Sequence, residues 1–293
     1  MRDNVRLKLT AENTALVLDS TCDLRGGQAP HANWRIVPLH VHFGDEVYRD
    51  HVDLDAESFY RRLSESSVHP HSSQPSPGEF ADCLEALPEY ERIFIVTVSS
   101  KLSGTHQSAT LAAELGGSER VVVVDGGTVS AGTVLLADAI QRRLERGTSE
   151  DELTAFVGSN DNTPAFVFAV ATLEYLIRGG RVSRAAGFAG ELLSAKPILR
   201  IVDGDIVAVK RARGRARALA ELERIFVDET PADGPVRVAL VHADASADLD
   251  RLAERVRAVR PAASLDHRLS FGPVIGANAG PGAVALAWFL DET

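Results

Sequence analysis

Cysteine is nearly absent: 293 residues hold two, Cys22 and Cys83. Two thiols build neither a disulfide framework nor a cysteine-based zinc set, and such usage fits a reducing, cytoplasmic setting. Long apolar runs are missing too. None approaches the roughly 18 residues of a membrane-spanning helix. The opening MRDNVRLKLTAEN is polar and has no apolar signal core. Neither G-x-x-x-x-G-K-S/T nor a strict G-x-G-x-x-G occurs, which removes the usual phosphate-cradling loops, and no cofactor is expected. Positive charge is in deficit. The 31 Lys and Arg against 41 Asp and Glu leave a formal charge of −10, a field that opposes nucleic acid as a partner.

What is present is an ordinary globular composition, 45% hydrophobic and 25% charged. Single cores seldom grow far beyond about 250 residues, so the length predicts two domains. Up to about residue 150, short apolar runs alternate with helical patterns: TALVLDS, RIVPLHVHFGDEVY, the helix LDAESFYRRLSES, IFIVTV, VVVVD and a helix over 133–146. Strands alternating with helices predict βαβ units and a mainly parallel, doubly wound sheet. Ser76 followed by Pro77 marks a helix start. The helix in TSEDELTAFVGSN has an acidic first turn. From about residue 161 the pattern changes to a second α/β domain, with FVFAVAT as strand, a hairpin at Asp203-Gly204 and VRVALVHA as strand. The expected domains are 1–160 and 161–293. FGPVIGANAGPGAVALAWF reads as an apolar strand joined to an apolar helix through Gly276, Asn278, Gly280, Pro281 and Gly282.

Four polar stretches stand at strand ends in the first domain: DSTCD at 19–23, HSSQPS at 71–76, SSKLSGT at 99–105 and DGGTVSAG at 125–132. A doubly wound sheet brings such loops to one edge. Their hydroxyls and free amides favour an anionic oxygen group, although caps and turns use the same residues.

Other constellations leave alternatives open. TVSAG at 128–132 is close to the G-x-S-x-G nucleophile elbow, so a serine hydrolase using Ser130 or Ser103 is a rival reading. It lacks an identifiable catalytic histidine; His242 follows a strand without a clear acid–serine set. LHVHF places His40 and His42 on one face of a strand, with His69 and His71 nearby. Four histidines can ligate a metal, but no acidic partner stands at ligand spacing, and no metal is expected. Lys210, Arg211, Arg213, Arg215 and Arg217 concentrate basic charge in one short span. It is either a guarded edge or a docking patch for an acidic partner.

These pieces, in this order, resemble the DegV family, bacterial fatty-acid-binding proteins that include the FakB subunits of fatty acid kinase. The resemblance rests on LDSTCDL, VPLHVHFGDEVYRD, SSQPSPGEF, SSKLSGTHQSA, VVVVDGGTVSAG, LIRGGRVSRAAGFAGELLSAKPIL, KRARGRARAL and GPVIGANAGPGAVAL, which span nearly the whole chain. It implies a two-domain α/β protein without catalysis of its own, holding one long-chain fatty acid with its tail in an apolar tunnel. A separate kinase subunit would phosphorylate the carboxylate. By position, the carboxylate would be held by Ser72 and Ser103, with Ser73, Gly104 and Asn278 beside them. Where the family often has histidine this chain has Asn278, which donates a hydrogen bond but carries no charge. Phe166, Phe168, Phe188, Leu192 and Ile198 are the expected tunnel residues. Arg181, Arg211 and Arg213 are the expected contacts to the kinase subunit. The implied partners are the fatty acid and that subunit, with no membrane span but transient membrane contact allowed.

Overall fold

A computed structural model describes residues 7–24, 29–117, 119–182 and 195–290. The chain begins β1 (Lys8–Leu9), β2 (Thr14–Asp19), β3 (Trp34–Val37), β4 (His40–Phe43) and β5 (Glu46–Arg49). It continues α1 (Ala56–Glu65), β6 (His71–Ser73), α2 (Pro77–Glu85), β7 (Arg92–Thr97), α3 (Thr105–Leu115), β8 (Val121–Asp125) and α4 (Ala131–Arg146). Next come β9 (Thr148–Ser149), α5 (Glu150–Val157), β10 (Ala165–Ala169), α6 (Glu174–Arg178), β11 (Ala195–Val202), β12 (Asp205–Arg213) and α7 (Arg215–Glu229). The last elements are β13 (Arg237–His242), α8 (Ser246–Val259), β14 (Ser264–Ser270), α9 (Pro273–Ala279) and β15 (Val284–Phe289).

Two sheets dominate this α/β architecture. The first has order β3-β2-β7-β8 and is parallel throughout. The second has order β12-β11-β10-β15-β13-β14; it is antiparallel except where β13 pairs with β14. Small sheets β5-β4-β6 and β1-β9 flank them.

Strand parity assigns the core residues to layers. In the first sheet Ala15, Val17, Ile93 and Ile95 pack with Phe80 of α2 and Ala109 of α3. Their neighbours Leu16, Leu18, Phe94 and Val96 turn inward. In the second sheet Val167, Ile198, Leu240, Leu286 and Trp288 pack with α7 and α8, whereas Phe166, Phe168, Leu199 and Val241 turn inward. The two inward faces share one cluster with Val134, Leu135 and Ile140 of α4. This position between the sheets explains why α4 is buried over most of its circumference.

Local chemistry sets the remaining boundaries. Ser76 and Glu79 form a reciprocal capping box at α2, with Pro77 at the first position. Ser149 and Glu152 do the same at α5. Asp203 (φ 50) and Gly204 (φ 80) make the left-handed turn that a two-residue hairpin requires.

The stretch 271–289 corrects an expectation. Its first half is the helix α9, and its second half, VALAWF, is a strand. Pro273 starts the helix, and Gly280 (φ 73) and Gly282 (φ 81) end it and turn the chain. The run VALAWF is apolar throughout because β15 lies in the middle of the second sheet with both faces covered. Residues 183–194 lie outside the described residues.

Leu286 on that strand is fully buried. Leu286→Ala is expected to lower unfolding stability by about 2–5 kcal/mol, read as a shifted midpoint in urea denaturation.

Candidate functional site

The layer between the sheets is not completely filled. A cavity of about 80 Å3, opening into a wider space, is walled by the carboxyl-end loops of the first sheet and the inner face of the second. Phe166 and Phe168 of β10, with ring centroids 5.7 Å apart, line it together with Ile201 and Ile206 of the β11–β12 hairpin and Leu176 of α6. The hairpin is held in place at its turn, where the Ser99 hydroxyl donates to the Gly204 carbonyl at 2.8 Å. A Cβ at Gly204 would lie 2.4 Å from that Ser99 oxygen.

The four polar stretches do converge. Thr21, Ser72, Ser103 and Val129 each supply a wall residue from one of them. Among the described residues, the polar side chains that line the cavity are those of Thr21, Ser72, Ser103, Arg181 and Asn278. Thr21 has its hydroxyl committed to Asp19 at 2.5 Å. Ser72 lies on β6, whose pairing with β4 fixes its direction. The Asn278 amide donates to the Ser72 hydroxyl at 3.2 Å and to the Val274 carbonyl at 2.9 Å. Ser103 sits just before α3, its hydroxyl 2.8 Å from that of Thr105. Arg181 donates to the carbonyls of Leu102, at 3.2 Å, and Gly179, which holds its guanidinium in the wall.

The L-I-R-G-G-R motif now has a steric explanation. A Cβ at Gly179 would lie 2.2 Å from the Asn278 side-chain oxygen, so glycine there leaves room for the amide. Gly180 adopts φ 74, a conformation glycine takes without penalty. The next residue is the wall residue Arg181. The sequence signalled the glycine pair as a motif but not what it accommodates.

The other expected residues are distributed unevenly. Ser73 faces His42, with its hydroxyl 2.9 Å from the imidazole, and is not a wall residue. Gly104 caps α3 beside Gln74, whose amide would be 2.6 Å from an added Cβ. Ile198 departs from the expectation: it belongs to the core with α7 and α8, on the face of β11 opposite Leu199. Phe188 and Leu192 lie outside the described residues. Arg211 and Arg213 both fall on β12, opposite Pro197 and Ala195, and neither lines the cavity. Lys210 and Arg215 of the same basic span pair with Glu221 at 2.8 Å and Asp248 at 2.7 Å.

Behind the wall lies a set of buried acids. Asp19, Asp23 and Asp50 are at most 3% exposed. Asp19 accepts from the backbone of Thr21 and Val98 at 3.0 and 2.7 Å. Asp23 accepts from the Ser130 hydroxyl and the Gly272 N–H, the latter at 2.7 Å; the His51 imidazole stands 3.7 Å away. Asp50 accepts from the Ser20 hydroxyl at 2.7 Å and the Val274 N–H at 3.2 Å. Asp23, His51 and Ser130 all have positive φ, a strained arrangement for residues with side chains. Burial raises the pKa of Asp19 and Asp23 and pushes Asp50 up to about 7.

The same contacts separate Ser130 from nucleophile chemistry. Its hydroxyl is fully buried and directed to a carboxylate, and no described histidine lines the cavity beside Ser103. His42 stacks on His71 with centroids 4.5 Å apart, and His40 pairs with Glu79 at 3.1 Å. Among the described residues no group of three or more His, Cys, Asp or Glu could hold a metal ion.

Asp50 generates a pH dependence of known sign. Its folded pKa lies above the ordinary 3.8, so the native state keeps a proton that the unfolded chain releases. Stability is therefore lost as pH rises from about 4 to about 7. Asp50→Asn, which cannot ionise, should gain relative to the wild type across that window. Urea midpoints at pH 5 and pH 8 check this, and parallel changes in the two proteins would contradict it.

The family model described as "Uncharacterised protein, DegV family" matches residues 13–291. A DegV domain-containing protein of Halalkalibacterium halodurans is 30% identical, over 95% of this chain and 99% of its own. A solved DegV family protein from Thermus thermophilus, described by its fatty acid binding, is 32% identical with a TM-score of 0.87, covering 95% of this chain and 99% of that one. The structure of DegV from Bacillus subtilis, described as a fatty acid binding protein, is 29% identical with a TM-score of 0.85 over the same shares. Matched almost end to end in sequence and in fold, the chain belongs to the DegV family.

Proposed function

We propose that this chain binds one long-chain fatty acid and presents its carboxylate to a separate kinase subunit, without chemistry of its own. The observation that carries this reading is the polarity of the cavity. Its wall is apolar along β10, the β11–β12 hairpin and α6, and among the described residues its polar side chains besides Thr21 are Ser72, Ser103, Asn278 and Arg181. An acyl tail matches the first part and a carboxylate the second. The hydroxyls and the amide donate without adding an acid beside the bound one, and Arg181 supplies the opposite charge. The Thermus and Bacillus relatives support the same ligand class.

Magnitudes divide the work. Each buried methylene contributes about 0.8 kcal/mol, so a C16 tail contributes on the order of 10 kcal/mol before ordering costs. A hydrogen bond from each hydroxyl adds about 1 kcal/mol. Affinity thus comes from the tail, and the headgroup contacts fix where the carboxylate stands.

The family resemblance extends the reading to a kinase partner. Arg181, at the polar end of the cavity, and Arg211 and Arg213 on β12 are the proposed docking residues. The basic span is partly neutralised by Glu221 and Asp248, which leaves fewer cations for a partner than the sequence suggested. The proposed division into units of residues 1–160 and 161–293 fits two pairings. β1 joins β9, closing the first unit, and the second sheet takes all its strands from residue 165 onward. Among the described residues no helix is long and apolar enough to cross a membrane. A cytoplasmic carrier that touches a membrane transiently to exchange lipid is consistent with that.

Mass spectrometry of an organic extract from the denatured protein should find close to one fatty acid per chain. No lipid, and no uptake of added fatty acid, would reject the reading. Ser103→Ala should retain lipid while phosphorylation by a cognate kinase subunit falls about fivefold, the equivalent of one lost hydrogen bond of about 1 kcal/mol. Undiminished phosphorylation would remove Ser103 from the headgroup site.

A further inference from the structure

Asn278 meets Ser72 only because α9 is held against the N-terminal part of the chain. That helix starts without a capping side chain from its own sequence. Its first amides donate instead to two carboxylates far upstream: Gly272 to Asp23, 249 residues away, and Val274 to Asp50, 224 residues away. The second oxygen of each carboxylate is held as well, by Ser130 for Asp23 and Ser20 for Asp50. Ser20 also accepts the N–H of the wall residue Leu39 at 2.9 Å. One further tie comes from α1, where the Tyr60 hydroxyl donates to the Phe271 carbonyl at 3.1 Å.

We propose that Asp23 and Asp50 are positioning residues for the bound headgroup: by clamping the start of α9 they set where the Asn278 amide stands relative to Ser72. Neither carboxylate lines the cavity; both act through the helix. The clamp is specific because α9 is only two turns long. A shift at Val274 carries through one turn to Asn278, which bonds the Val274 carbonyl directly. Val274, Ile275 and Ala279 move with it, since the same helix supplies these wall residues.

This inference rests on the fatty-acid reading, and the test separates the two. The probe is palmitate labelled with carbon-13 at its carboxyl, bound to the full chain and observed by NMR. Asp50→Ala is expected to bind as much palmitate per chain as the wild type. Its carboxyl resonance should move by more than its linewidth, toward the position seen in Asn278→Ala. Asp50→Asn keeps an acceptor for the Val274 N–H and should restore the wild-type resonance. Leu286→Ala, destabilised from another core, should leave the resonance in place, so loss of stability alone does not mimic the effect. Should Asp50→Ala not fold, Ser20→Ala loosens the same carboxylate without emptying its place and must displace the resonance. An unmoved resonance in Asp50→Ala, or in Ser20→Ala should Asp50→Ala not fold, overturns the positioning role while leaving the fatty-acid reading intact. A wild type that binds no palmitate overturns both.

Discussion

Three carboxylates withdrawn from water hold this structure together at the point where its layers meet. Asp19, Asp23 and Asp50 join the end of β2, the loop after β7, the start of α4 and the start of α9. Taking a carboxylate out of water is costly unless its lone pairs are satisfied, and here each oxygen has a donor. The cost is visible in the raised pKa values and in the positive φ of Asp23, His51 and Ser130. Removing one donor would leave a buried charge without compensation, which is far worse than never having buried it. The arrangement is therefore cooperative: each segment is held only while the others are.

That constraint explains the character of the cavity beside it. The acids are turned away from the space and onto backbone amides and serine hydroxyls, so their charge is engaged behind the wall. Among the described residues, the polar groups that face the space are of a different kind, hydroxyls, an amide and a guanidinium set in an otherwise apolar wall. The stretch DSTCD contributes to both sides. Asp19 and Asp23 work behind the wall, and Thr21 between them forms part of it. A loop that reads as a single polar patch is split by the geometry of a short 3-10 turn at Ser20–Cys22.

Much of this was legible in the sequence. Alternating strands and helices announced the parallel sheet, and hydroxyl-rich strand ends announced loops that meet at one cavity, because both follow from local pattern. The failures share one physical origin, which is dependence on neighbours. VALAWF gives no period to distinguish strand from helix, and only its place in the centre of a sheet decides. Ile198 is as apolar as Leu199, and only parity along β11 tells which of them turns into the layer between the sheets. The role of Gly179 depends on Asn278, 99 residues onward, and the roles of Asp23 and Asp50 depend on amides more than 200 residues away. No window of sequence contains those relations.

The place of β15 bears on how the protein is made. This strand bridges β10 and β13, yet it is synthesised after both. Until it emerges, the second sheet exists as two fragments, each with an unpaired edge of buried-type residues such as Val167 and Leu240. Open edges of this kind are templates for wrong pairing. Nascent chains are thus most exposed to aggregation just before β15 emerges, and α9, translated immediately ahead of β15, can dock on its two carboxylates while that edge is still waiting.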